Sequence, residues 1–167
     1  AAIALNLQGG GVFEIWQYSE RKPKPIDFEI QIGDLGVFAA KIKSRDVEKT
    51  YEQFRKKRNV NLLGKPETSI DGHSTFFMKD PYGNIFQIVH DTTIYREEGR
   101  LTGGIVGAMI GVTDIEKAMP IYRDILGYDV IAADETGTFD DLKALPSGSR
   151  QYRRRILSHS KPRHGSF

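Results

Sequence analysis

The chain has 167 residues, 39% of them hydrophobic and 28% charged, with a formal net charge of +2. That balance suits one or two small globular domains and makes no global case for nucleic acid. There is no cysteine, which excludes disulfides and thiolate metal sites and fits a cytoplasmic setting, and no apolar run reaches membrane-spanning length.

Residues 2–8, AIALNLQ, read as a strand. Gly9-Gly10-Gly11 is a turn, and residues 12–18 form a second strand. The first residues are already strand-like, without a starting Met or the charged-then-apolar pattern of a secretory signal, which suggests a fragment boundary. Residues 19–25 are polar and Pro-punctuated, an exposed linker. Residues 35–43 are a strand. Ser44 is placed as an N-cap for a helix over 45–57, whose apolar spacing is Val47, Tyr51, Phe54. A loop through Gly64-Lys65-Pro66 follows.

Next come two strand-like runs, residues 74–78 and 85–90, joined by Asp80-Pro81-Tyr82-Gly83-Asn84. Pro81 fixes φ at the second turn position, and Gly83 and Asn84 tolerate positive φ. The expectation is a β-hairpin. Period 2 puts Ile85, Gln87 and Val89 on one face and Phe86, Ile88 and His90 on the other. Residues 92–100 are a polar connector with room for a short helix.

Residues 104–112, GIVGAMIGV, are another strand. Thr113 and Glu116 have the spacing of a capping box, opening a helix that runs to Leu126 with Gly127 as its cap. Pro120 falls inside it and predicts a kink. Residues 128–132 are a strand. Residues 142–145 and 151–157 are weaker strand candidates around the turn Pro146-Ser147-Gly148.

The chain repeats itself. Asp46-Val47-Glu48-Lys49 matches Asp114-Ile115-Glu116-Lys117, and Phe54-Arg55 matches Tyr122-Arg123, both 68 residues apart. The strand from Gly11 to Trp16 matches that from Asn84 to Val89, 73 residues apart, with Glu14 falling where Gln87 falls. One copy is contiguous, over 34–91. The other is split, its end at 1–18 and its beginning at 104–167. Either the chain is cut from a longer protein with more units, or the terminal pieces complete one unit, within one chain or between two. A lone strand pair exposes apolar surface and edges. The N-terminal hairpin is therefore expected to pair with the C-terminal half.

A repeated βαβββ unit with an Asp-Pro-x-Gly-Asn turn before its last strand resembles the glyoxalase/bleomycin-resistance/extradiol-dioxygenase (vicinal oxygen chelate) superfamily. The residues that carry the resemblance are Asp80 to Asn84, the strand-to-helix stretches Ile42 to Glu48 and Ile110 to Glu116, and Tyr122-Arg123-Asp124-Ile125-Leu126-Gly127-Tyr128. It implies an α+β fold of βαβββ modules forming a cup-shaped mixed sheet around a cavity. It implies a small-molecule ligand; the split unit points to a homodimer or pairing of terminal pieces, and charge and hydropathy point to no nucleic acid and no membrane. In metal-using members the cavity holds a divalent ion, here Zn, Ni, Mn or Fe, doing lyase, isomerase or dioxygenase chemistry. The last-strand ligand positions are Glu14 and Gln87, with Glu14 also the candidate catalytic residue. The first-strand positions fall near Ala39 and Gly107, neither of which ligates through a side chain. The alternative is a metal-free module that sequesters its ligand, so whether the chain is an enzyme stays open.

Trp16 and Tyr18 share a face with Glu14, and aromatics around a polar group suit a ligand cavity or plain core packing. His73 precedes the strand at 74–78 and could reach the cavity mouth as an acid or base, or be an exposed turn residue. His159 and His164 lie in a poorly patterned tail. Arg150, Arg153, Arg154, Arg155, Lys161 and Arg163 make the C-terminus basic, read as a solvated strand face. Gly9-Gly10-Gly11 precedes a strand rather than a helix, so it is not a phosphate loop.

Overall fold

The structure is a computed structural model that describes residues 1–160. His164, Lys161 and Arg163 lie outside the described residues. The architecture is α+β and dominated by strands: β1 (Ala2–Leu5), β2 (Val12–Ile15), β3 (Gly36–Ser44), α1 (Val47–Arg55), β4 (Asn61–Thr68), β5 (Ser74–Lys79), β6 (Ile85–His90), β7 (Thr102–Gly111), α2 (Ile115–Pro120), β8 (Val130–Gly137) and β9 (Tyr152–Ser158).

Five strands form one mixed sheet in the order β4-β5-β6-β3-β7. β3 and β6 are parallel, connected through α1, β4 and β5, while the other neighbours run antiparallel. The hairpin β5-β6 forms as expected. Asp80 closes its turn: Oδ1 accepts from the backbone N–H of Tyr82 and Asn84 at 2.8 and 2.9 Å, and Gly83 takes φ +89°. Only Gly83 uses positive φ there.

The sheet is packed on both faces. Val47, Tyr51 and Phe54 of α1 meet Ile42, Phe76, Met78 and Ile88 on one side. Edge-to-face rings join Phe76 to Tyr51 at 5.3 Å and to Phe54 at 6.3 Å. Removing side chains such as Phe76 and Ile88 from water stabilises the fold by roughly 1.5–3 kcal/mol each. On the other side Ala39, Phe77 and Ile85 pack against Phe139, Leu142 and Leu145.

Several expectations need correction. The N-cap of α1 is Asp46, whose side chain accepts from Lys49 N–H, while Ser44 shares a hydrogen bond with Thr50. Asp114, not Thr113, caps α2, accepting from Glu116 and Lys117 N–H. The stretch around Gly64-Lys65-Pro66 is the edge strand β4 rather than a loop. A proline is tolerated there because an edge strand has one unpaired side. Residues 140–142 form a 3-10 turn, so 142–145 is no strand. Pro120 lacks an N–H, and the helix widens after it into one π turn, with Leu126 N–H donating to Ile121 O at 3.0 Å.

β1 and β2 form a two-stranded sheet of their own, and β8 and β9 another. The expected strand pairing between the terminal pieces is absent among the described residues. The N-terminal hairpin docks through its turn instead. Gln8 is buried, with Oε1 accepting from Arg100 N–H at 2.9 Å and Nε2 donating to Arg100 O at 2.7 Å. Gly9 sits against Gly103 so closely that any side chain would overlap the Gly103 carbonyl.

Candidate functional site: a cavity beside Lys41

A cavity of about 610 Å³ opens between the β3-β7 side of the sheet and the group formed by α2, β8 and β9. Phe38, Met109, Met119, Tyr122, Leu142 and Tyr152 supply much of its apolar wall; Lys41, Arg153, Arg154 and Arg155 bring charge. Its size is that of a small-molecule site.

Register explains why Lys41 is there. On β3, Ile42 faces α1, so Lys41 faces the other way. Its neighbours across the ladders are Gln87 on β6 and Gly107 on β7. Gly107 has no side chain, and the Lys41 stem lies over it, with Cδ 3.9 Å from where a Cβ would stand. Among the described residues nothing hydrogen-bonds or ion-pairs with the Lys41 ammonium. Burial pushes its pKa down, and the Arg154 charge pushes the same way; Asp71 and Asp141 oppose.

Arg154 reaches the cavity from β9, but its charge is engaged. Asp141 Oδ1 and Oδ2 accept from its two terminal nitrogens at 2.7 and 2.9 Å, and the guanidinium lies 4.7 Å over the Phe139 ring. The fork is bidentate and nearly dry, a geometry in which breaking one partner is costly. Arg153 and Arg155 are tied to Asp134 and Glu116. Arg153, Arg154 and Arg155 thus form ion pairs rather than a free basic face. The Tyr152 hydroxyl lies 3.0 Å from Ile32 O and 2.9 Å from Ser147 O, so its one proton is already shared between carbonyls.

The expected site residues do not converge. Gln87 is buried; its Nε2 donates to Thr75 Oγ1 at 3.0 Å, and Thr75 donates on to Ile88 O at 2.7 Å. Gln87 Oε1 has no hydrogen-bond partner among the described residues. Glu14 is exposed on β2. The rings of Phe13 and Phe86 meet edge-on at 5.8 Å. Glu14 alternates with Phe13 and Gln87 with Phe86, so the two candidate ligands point away from the surface on which their strands meet. Trp16 and Tyr18 are exposed, with Arg21 stacked on Tyr18 at 5.3 Å. His73 stacks on His90 at 5.1 Å, not over Gln87. His159 stacks on Tyr128.

A divalent ion does not fit this donor set. Gln87 offers one neutral oxygen, Glu14 faces elsewhere, and the side chain beside Gln87 on the first strand is a lysine. No group of three or more His, Cys, Asp or Glu among the described residues could hold an ion. Lys41, two residues on from Ala39, is the β3 residue across from Gln87. The signal was available, since Lys41 and Lys43 alternate with apolar residues in an otherwise buried strand. No protein-family model, curated protein or solved structure matches the chain. No helix is long and apolar enough to cross a membrane among the described residues.

Proposed function

We propose that this chain is a metal-free, glyoxalase-like binding module that takes a small, largely apolar molecule into the cavity beside Lys41. The observation that carries the reading is the cavity itself: largely apolar walls of ligand-binding size, with Lys41, whose ammonium has no partner among the described residues, in its lining. Lys41 stands where a metal-using relative would need a ligand, and its charge would oppose a nearby cation. The metal-assisted lyase, isomerase or dioxygenase reading is the weaker one, because Glu14 and Gln87 do not face a common point. A cytoplasmic setting belongs to the same proposal and rests on the cysteine-free sequence.

The three methionines make a direct test. Met109 and Met119 line the cavity, whereas Met78 packs on the α1 side of the sheet. With methyl-labelled methionine, naphthalene-2-methanol is expected to shift the Met109 and Met119 signals and leave Met78 in place. Unchanged Met109 and Met119 signals at millimolar probe would sink the reading.

The repeat supports a finer architecture as well. The repeat offsets map the parallel pairing of Ala39 with Ile85 onto Gly107 with Val12. β7 is the unpaired edge of the five-stranded sheet, and Gly11 already lies against Ile105. We infer that a β2 strand completes this edge as the last strand of a second βαβββ unit, closing the cup. Sedimentation tests this. A dimer supports exchange of β2 between two copies, and a monomer would overturn the inference, since β2 does not pair with β7 of its own chain.

A further inference from the structure

We propose that Lys41 is an imine-forming amine, and that the molecule the cavity takes is a small apolar aldehyde or ketone. The inference rests on the cavity reading above and names the substrate class of that site. The argument starts from contrast. Lys43, on the same face of the same strand, is buried and donates to Thr93 Oγ1 at 3.1 Å. Lys41 instead lines the cavity with no hydrogen bond or ion pair to its ammonium among the described residues, with Gly107 leaving room for its stem and Met109 and Leu142 among the apolar walls.

The charged groups around it act in opposed directions. Arg154 from β9 disfavours the ammonium; Asp71 from the β4-β5 turn and Asp141 from the 3-10 turn favour it. Asp141 is occupied by its fork with Arg154. Asp34, also at the cavity, accepts from Gln31 N–H at 2.8 Å. Burial is the largest influence and holds the pKa of the amine below that of an ordinary lysine. Such desolvation is one route by which a lysine becomes a nucleophile toward carbonyls.

The chemistry balances without a further reagent. The Nζ lone pair forms a C–N bond to the carbonyl carbon as the C=O π bond breaks, and an amine proton passes to oxygen to give a carbinolamine. Loss of that oxygen as water, with the second amine proton, leaves the C=N double bond. Hydrolysis reverses the sequence and releases the carbonyl compound.

The test treats the full chain with naphthalene-2-carbaldehyde and cyanoborohydride, a hydride donor that reduces the imine to a stable secondary amine. Peptide mapping then locates the adduct. At neutral pH we expect at least about tenfold more adduct on Lys41 than on the exposed Lys24, because binding beside the amine raises its effective concentration. The preference should shrink at alkaline pH, where exposed lysines also lose their proton. Lys41→Met and Lys41→Arg should both lose the cavity adduct, and the arginine variant keeps the charge. An unshifted Met78 methyl signal, on the α1 side of the sheet, establishes that the variants fold. If the aldehyde shifts Met109 and Met119 but Lys41 is labelled no more than Lys24, the imine inference is overturned and the cavity reading stands. If it shifts neither and no Lys41 adduct forms, both are overturned.

Discussion

Lys41 and Gln87 are register partners on the adjacent parallel strands β3 and β6. One lines the cavity. The other is buried with an unsatisfied amide oxygen. An orphaned buried acceptor costs its desolvation, on the order of 1–3 kcal/mol, whereas an apolar replacement of similar shape removes that cost. Gln87→Met forfeits the hydrogen bond to Thr75, yet Thr75 keeps its bond to Ile88 O. The expected outcome is a stability unchanged or raised by about 1 kcal/mol, read from urea unfolding. A loss well above about 2 kcal/mol would show that Oε1 is satisfied in solution by a water or a ligand.

Gln8 makes the second prediction. Its amide satisfies backbone groups of the connector before β7: the N–H groups of Glu98 and Arg100 and the carbonyls of Arg100 and Thr102. Gln8→Ala leaves these without partners. The cost expected is about 1–3 kcal/mol, and the hairpin β1-β2 should release before the sheet unfolds. Amide hydrogen exchange measures this directly. Protection should fall in the connector at 95–102 and hold in β5 and β6. Uniform loss across the sheet would mean that the hairpin is integral to the main core.

The sequence made the contiguous unit legible because its signals are local and redundant. Asp80, Pro81 and Gly83 each favour the same turn, and Val47, Tyr51 and Phe54 recur at helical spacing. Capping was harder: Ser44 and Asp46, or Thr113 and Asp114, can each accept an N-terminal N–H, and only the backbone conformation decides. β4 was hidden because Gly64 takes φ +81° and its ladder is irregular between Leu63 and Glu67. The run 142–145 deceived in another way. Phe139, Leu142 and Leu145 recur every third residue, which suits the turn they form rather than a strand. The cavity was not legible, since Lys41, Met109, Met119 and Arg154 meet only through tertiary structure.

Phe76 anchors the α1 side of the sheet, fully buried between Tyr51 and Phe54. Phe76→Ala is expected to cost about 3–5 kcal/mol, because the sheet cannot collapse into the space left by the ring. The cavity lies on the opposite face, so naphthalene-2-methanol should still shift Met109 in whatever fraction stays folded. A cost below about 1.5 kcal/mol would mean that α1 re-seats on the sheet and that its packing is looser than the ring geometry implies.

The ion pairs joining α2, β8 and β9 set the acid dependence. Arg153 and then Arg155 hold the Asp134 carboxyl well below its ordinary range, and the same two arginines lower Glu116. A carboxylate depressed on folding contributes stability that is present above its unfolded pKa, about 4, and is lost as pH falls through its folded value. Below about pH 5 the β8-β9 hairpin should therefore loosen progressively. Both carboxylates reach solvent, so screening keeps the effect small, and added salt at pH 7 should weaken it further. The measurement is thermal melting of the wild type and Asp134→Asn between pH 7 and pH 3. The variant is expected to melt lower at pH 7 and to lose less on acidification, so the two curves converge. Parallel curves would show that carboxylates outside this cluster govern acid unfolding instead.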